Sequence, residues 1–345
     1  MEQTAFDPSW QHTTHGSRER ASLLAPLALY ALTLWMVATI VFSLPRAMPG
    51  DPLGELFSPD SLSYLTSDEV RDKLAAYYGL DRPLWEQYVT YLANLARGDL
   101  GWSISRQAPV AELIAAHLPW TLVMVLPSIA LATLFSLLLG AHSGWVRGTA
   151  TDRALLAVFV TVGTVPVFLV GMLLILLFGA QLGWLPVAGA YTAFRQYGSS
   201  FEQLVDIGRH LALPVATLTL ATVGRDFLLV RSSMVTVLGE DFILVARAKG
   251  LSENALKYRH GLRNALLPVL TRFSMQLGSA VTGAVLVETL FAYPGMGRLM
   301  FSAVGSRDYP VLEGCFLIAA LAVLVANLLA DLAYGWLDPR TRRAA

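Results

Sequence analysis

Long apolar runs alternate with polar connections along the chain, and the length of each run limits what it can be. Crossing about 30 Å of hydrocarbon takes roughly 20 helical residues, because a helix satisfies its own backbone polar groups where there is no water. Six runs meet that requirement: approximately Ser22 to Leu44, Leu118 to Leu139, Leu155 to Phe178, Leu211 to Val230, Leu267 to Phe291 and Tyr309 to Leu337. They predict an all-α integral membrane fold with six transmembrane helices. Runs of this length and number do not suit buried helices of a water-soluble domain. The first run is followed by Pro45 to Pro52 rather than by a small-residue cleavage pattern, so it is expected to be retained.

The polar connections orient the bundle, since Lys and Arg resist translocation while acidic residues contribute little. Arg231, Arg247, Lys249, Lys257, Arg259 and Arg263 follow the fourth run, Arg147 and Arg153 follow the second, and Arg340, Arg342 and Arg343 lie in the tail. These segments are expected in the cytoplasm, and an even number of spans then puts both termini there. The connection 45–117 holds Asp51, Glu55, Asp60, Asp68, Glu69 and Asp72 and is too long for a hairpin. Thr66 and Glu69 have capping-box spacing, and Ser67 to Tyr78 reads as a short amphipathic helix. The expected organisation is a cytoplasmic polar lead at 1–21, disordered over its first 20 residues, a first span at 22–44 and an extracytoplasmic loop subdomain at 45–117. A core at 118–337 with five spans and a cytoplasmic tail at 338–345 complete it.

Composition agrees: 55% of the 345 residues are hydrophobic and 14% charged, more apolar surface than one water-soluble core needs. The 25 basic and 25 acidic side chains cancel, so net charge gives no bias toward nucleic acid. Cys315 has no second cysteine, which excludes an intrachain disulfide and a cysteine-based metal site. The six histidines (His12, His15, His117, His142, His210, His260) form no recognisable ligand set. There is no GxxxxGK[ST] phosphate loop, no HExxH and no nucleophile elbow, so the chain is expected to hold no cofactor or metal and to be no enzyme.

The most informative connection is Glu240 to Leu270, EDFILVARAKGLSENALKYRHGLRNALLPVL, centred on a loop at 232–266. Phe242 to Lys249 has apolar and basic faces, Gly250 suits the left-handed turn that ends a helix, and Ser252 offers a new N-cap. Glu253 to Arg263 is again amphipathic, and Pro268 punctuates the start of the fifth run. A basic loop that only set topology would explain the Arg and Lys residues, but not the turn glycine together with Pro268.

ARAKG followed by RHGLRNALLPVL resembles the EAA loop of ABC importer permeases, specifically the B-type subunit of the oligopeptide, dipeptide and nickel branch. MPGDP at Met48, GLDRPLWEQY at Gly79, RGDLGWSI at Arg97, PVAELIAAHLPWTL at Pro109, GWLPVAG at Gly183, ETLFAYPGMGRLM at Glu288, RDYPVLEG at Arg307 and LDPRTRR at Leu337 extend the resemblance over nearly the whole chain. It implies a permease in the bacterial cytoplasmic (inner) membrane that pairs with a second homologous permease as a heterodimer. It also implies two cytoplasmic ATPase subunits, which bind the ATP and Mg²⁺, and an extracytoplasmic solute-binding protein. Asp241, Ala246, Arg247, Ala248, Lys249, Gly250 and Leu251 would form the short coupling helix docked on an ATPase, with Gly250 as its pivot. Solute would move inward by alternating access, with peptide as the first expectation and nickel, a nickel chelate or glutathione as others. The lead is longer than usual, the first span lacks a basic doublet, and Glu313 replaces a more typical Gln. Glu313 would alter the path or, as preferred, face the external water.

Ionisable groups in or beside spans suggest roles by their cost in lipid: Arg225, Asp226, Arg272, Glu288 and Asp331. Structural readings are preferred: Asp226 neutralises Arg225, Arg272 snorkels to headgroups, and Glu288 sits at the outer interface. Asn327 and Asp331, one turn apart, line either a helix contact or the pathway, and Pro166 marks either a kink that shapes the pore or a tolerated bend. An ion-coupled transporter would need paired carboxylates or broken helices near the midplane, to which little beyond Pro166 points. A membrane-embedded enzyme would need a reactive constellation, and none is visible.

Overall fold

The computed structural model describes residues 15–47, 72–73, 75–76, 79–266, 269, 272, 276 and 284–337. The expected helix at Ser67 to Tyr78, the MPGDP segment, the tail and most of the fifth run lie outside or largely outside them. The described elements are helical: α1 (His15–Ala47), α2 (Leu84–Ala96), α3 (Val110–Trp145), α4 (Ala150–Thr164), α5 (Val167–Leu174), α6 (Ser200–Leu238), α7 (Asp241–Ala248), α8 (Val285–Leu290), α9 (Met296–Gly305) and α10 (Tyr309–Leu337). Two π-helical segments, Ile175–Gln181 and Ala255–Leu262, follow α5 and α7.

Four stretches are long and apolar enough to cross a bilayer: Leu29–Ala47, Val110–Trp145, Ser200–Leu238 and Tyr309–Leu328. The third expected span is instead broken. α4 and the α5 segment meet at a 102° bend, where Pro166 caps α5 and, having no N–H, cannot continue the ladder of α4. Pro166 therefore makes a corner, far sharper than the expected kink. α3 and α6, with 36 and 39 residues, outrun their apolar runs because helix continues past the hydrocarbon into polar flanks. α1 likewise starts at His15, inside the lead expected to be disordered.

The longest packed pair is α3 on α6, and small residues permit it. Ser128, Ala132, Ser136, Gly140 and Gly144 recur every fourth position along α3, and all are buried. Repetition at i+4 keeps them on one face, and small side chains let two backbones approach where lipid offers no hydrophobic drive. Ser136 Oγ donates to the Val223 carbonyl at 3.2 Å, and Thr219 Oγ1 to that of Ser128 at 3.3 Å. A Cβ on Gly140 would lie 2.9 Å from the Phe227 carbonyl and from Val230. α4 crosses the same helix at Gly163 and Gly224, with Phe159 and Phe227 stacked at 4.5 Å beside them.

The end of the bundle where α1 finishes is tied by charge. Arg46 pairs with Glu313 of α10 and lies 3.6 Å over the Phe42 ring. Glu313 is thus buried against a guanidinium, which corrects the preferred expectation that it faces the external water. Burial, with the nearby Glu313 carboxylate, pushes the Tyr91 phenol up to about 12, so it stays neutral there. Asp308, fully buried, accepts from Ser103 Oγ at 2.6 Å and from the Ser105 N–H and Oγ at 2.9 and 2.7 Å. That carboxylate fastens the 97–109 loop to the start of α10. Glu288, also fully buried, accepts from Thr121 Oγ1 at 2.6 Å and from the Arg298 N–H at 2.9 Å, so it caps α9 from outside that helix. Gly295 and Gly297 leave room for its carboxyl, which accounts for the glycine spacing in YPGMGR.

Gly224→Ala would place a methyl group against the Phe159 carbonyl and 2.7 Å from the Gly163 Cα, both backbone atoms that cannot swing aside. It is expected to destabilise the protein by about 1–3 kcal/mol, as overpacking does. The Cβ of Gly163→Ala meets its nearest atom at 3.2 Å and should cost less. Thermal unfolding of the two detergent-solubilised variants checks the order.

Candidate coupling surface

α6 ends at Leu238, and Gly239 and the extended Glu240 turn the chain into α7. Asp241 in the first turn and Arg247 in the last both suit the helix dipole. The end of α7 is closed by a Schellman motif: the Gly250 N–H donates to the Arg247 carbonyl at 3.0 Å and the Leu251 N–H to that of Ala246 at 3.4 Å. Gly250 has φ +77°, a conformation that residues with a Cβ rarely adopt. Ser252 then accepts from the Ala255 N–H at 3.4 Å and starts the π-helical segment. The local path is the one that the glycine and serine positions predict.

Ile243 and Ala246 are the buried side of α7, whereas Leu244 and Val245 are 69% and 51% exposed. Asp241, Arg247, Ala248, Lys249 and Gly250 are exposed as well, and Leu251 is half-buried. Ala246 therefore seats α7 on its own chain instead of offering itself outward. The outward face is apolar with a charged rim, the surface character of a protein-binding patch. Arg247 and Glu253 form an exposed ion pair at 3.5 Å, which adds little.

The segment after α7 anchors this surface to the bundle. Leu256 is fully buried, and the buried Lys257 places Nζ 3.0 Å from His142 Nδ1 on α3. Gly261 packs so closely on Met234 of α6 that a Cβ there would come within 2.7 Å of its Cε. A short way above, Asp152 of α4 is 2% exposed and holds Arg231 of α6 through two bonds of 2.7 and 2.8 Å. Ser143 and the Gly148 N–H complete its shell, and Thr149 caps α4 through the Asp152 N–H. In the sequence Arg231 stands out only as a topology signal, and Asp152 does not stand out. The Thr149-x-x-Asp152 spacing, a helix-start pattern, was the signal available.

Asp226 does not neutralise Arg225, contrary to expectation. Adjacent helical positions point about 100° apart, and buried Asp226 instead meets Arg272 at 3.4 Å and accepts from Gln276 Nε2. Arg272, expected to snorkel, is thereby an ion-pair partner. Arg225 is exposed on α6, Asn327 is exposed on α10, and Asp331 is helical with its side chain outside the description. Nothing in the described structure brings Pro166, Arg225 and Asn327 together. Among the described residues, no group of three or more His, Cys, Asp or Glu is arranged to hold a metal ion.

Apolar helices longer than a bilayer is thick, held by buried polar pairs and joined to a protruding helical bracket, define a multi-pass integral membrane protein. Residues 132–343 match the family described as binding-protein-dependent transport system inner membrane component, and the chain belongs to it. It is 37% identical over 332 residues to the di/tripeptide transport system permease protein DppB of Pseudomonas aeruginosa, covering 92% of this chain and 97% of that one. It is 36% identical over 322 residues to the oligopeptide transport system permease protein AppB of Bacillus subtilis, covering 93% and 99%. It is also 36% identical over 310 residues to the glutathione transport system permease protein GsiC of Escherichia coli K12, covering 90% and 95%.

Removing one partner of the Asp152–Arg231 pair strands a charge, so Asp152→Ala and Arg231→Ala should each destabilise by about 3–5 kcal/mol. The double variant should lose less than the sum of the two. Unfolding midpoints of the three variants in one detergent measure the shortfall.

Proposed function

We propose that this chain is a transmembrane subunit of an ATP-driven importer of peptides or related small solutes, worked through α7 by a separate ATPase. The observation that supports this best is mechanical. An exposed helix pinned at its end by Gly250 is joined, through Lys257 and Gly261, to α3 and α6. A push on Asp241, Arg247, Ala248, Lys249 or Leu251 thereby reaches the longest helices of the bundle. The names of the three relatives support peptides and glutathione as the solute class.

In this reading the basic loop at 232–266 and both termini are cytoplasmic and residues 45–117 are extracytoplasmic, in a bacterial inner membrane. A second, homologous permease completes the pathway as a heterodimer, two ATPase subunits hold ATP and Mg²⁺, and an extracytoplasmic binding protein delivers the solute. ATP-driven closure of the ATPases tilts α7 and exchanges inward-facing for outward-facing states, the rigid-body route to alternating access. Arg225, with no ion-pair partner among the described residues, then faces the pathway or the second permease, since an arginine turned to lipid inside a span is costly. Asn327, Asp331 and the corner at Pro166 are assigned, at separate places, to the pathway or to helix packing.

Gly250→Pro removes the N–H that closes α7 and forbids φ +77°, so it should uncouple hydrolysis from transport. In proteoliposomes carrying the complete transporter, solute uptake is expected to fall at least about tenfold while basal ATP hydrolysis persists, a barrier change of about 1.4 kcal/mol or more. Uptake that survives without any ATPase subunit, or cysteine labels at Lys249 that react from the side of residues 79–109, would overturn the reading.

A further inference from the structure

α2 turns an apolar row away from the bundle. Half-buried Gln87 and Asn94, with Thr90 at the exposed rim, line a cavity of about 180 Å³ together with Tyr91, Leu95, Arg46 and Glu313, so the inward side of α2 is mixed. Trp85 and Val89 turn the other way and are 67% and 56% exposed, and the exposed Ala93 and Ala96 continue the row. A surface helix in water keeps its polar side outward and its apolar side against the core. The outward row of α2 therefore calls for an apolar covering.

Two contacts fix the depth of this helix. The Tyr88 hydroxyl hydrogen-bonds Thr39 Oγ1 at 2.7 Å, and the Tyr88 ring packs edge-on against Phe42 at 5.2 Å. Thr39 lies about 12 Å short of the end of α1 at Ala47, inside the apolar stretch Leu29–Ala47. On its other side α2 shares the cavity with Tyr309, Glu313 and Leu317, the first turns of the apolar stretch Tyr309–Leu328. Trp35, Met36, Ile40 and Leu44 of α1 are 49–58% exposed at these levels. α2 is thus packed, through Tyr88, beside an exposed apolar stretch of α1.

We propose that α2 is an interfacial helix, embedded in the leaflet where α1 ends and α10 begins, with Trp85 and Val89 seated among lipid headgroups and upper acyl chains. Tryptophan favours that zone, where its ring has apolar surroundings and its N–H still finds water. An amphipathic helix lying in the plane of the membrane buries its apolar side in the same layer. The segment after the first span thus braces α1 and α10 against the bilayer. The inference rests on membrane insertion alone and is independent of the solute and of ATP coupling.

The test uses the full chain, with its co-purified partner subunits, in lipid nanodiscs. In a Cys315→Ser background, Trp85→Cys, Val89→Cys and Thr90→Cys are labelled separately with a small fluorophore, and Val89→Cys leaves the tryptophan anchor in place. Nitroxide-bearing lipids labelled near the headgroup are expected to quench positions 85 and 89 at least about twofold more than position 90, and more than lipids labelled at the chain ends. Aqueous iodide should show the reverse order. Positions 85 and 89 quenched by iodide as freely as position 90, or shielded from both quenchers by another protein surface, would overturn the proposal.

Discussion

Close backbone approach between α3 and α6 is the constraint on which the other contacts depend. Inside a bilayer no hydrophobic force draws helices together, so packing and polar contacts must do so. The repeat of Ser128, Ala132, Ser136, Gly140 and Gly144 makes that packing possible over several turns. Once α6 is held along α3, its other faces are free to receive α4 at Gly224, Arg272 and Gln276 at Asp226 and the post-α7 segment at Met234. A bulky residue in the α3 row would shift α6 and loosen all three.

Polar groups then select one arrangement from the many that apolar helices permit. Asp152, Asp226, Glu288, Asp308 and Glu313 are all buried, and every one of them binds a group from a different element. A buried carboxylate without its partner costs several kcal/mol, about 3–5 when a pair is broken, so misregistered packings are penalised strongly. The same logic ties distant motifs together. RGDLGWSI and RDYPVLEG, some two hundred residues apart, meet at Asp308, and the helix α9 that follows YPG takes its cap from Glu288 and Thr121.

How much of this was legible in the sequence depended on the range of the interaction. Hydropathy located four of its six runs as long apolar helices among the described residues, because lipid imposes length and composition on one segment at a time. The turn at Gly250 was legible for a similar reason: a helix stop followed by a helix start is local chemistry. Pairings between segments were not. Asp226 sits next to Arg225 in sequence, yet helix geometry sends the two side chains to different neighbours, so proximity along the chain misled. Glu313 likewise reads as a lone acid until the turn of α1 that carries Arg46 is placed beside it. The 102° corner at Pro166 was visible as a proline but not as an angle, since its size depends on what α5 packs against after the ladder of α4 ends.

Under the proposed coupling, the arrangement lets a movable surface coexist with a stable bundle. α7 itself is held lightly, with Ile243 and Ala246 buried and the rest of its length exposed. The segment behind it is held firmly, by fully buried Leu256, by Lys257 against His142, and by Gly261 against Met234. In the proposed coupling, a force on α7 would meet little resistance at the surface and much at its root, where α3 and α6 would receive it together. Because those two helices are interlocked by backbone approach and cannot easily slide apart, they should respond as one body, and the give must come at the breaks. The Pro166 corner is one such break, where the backbone ladder is already interrupted and a change of angle would cost no helical hydrogen bond.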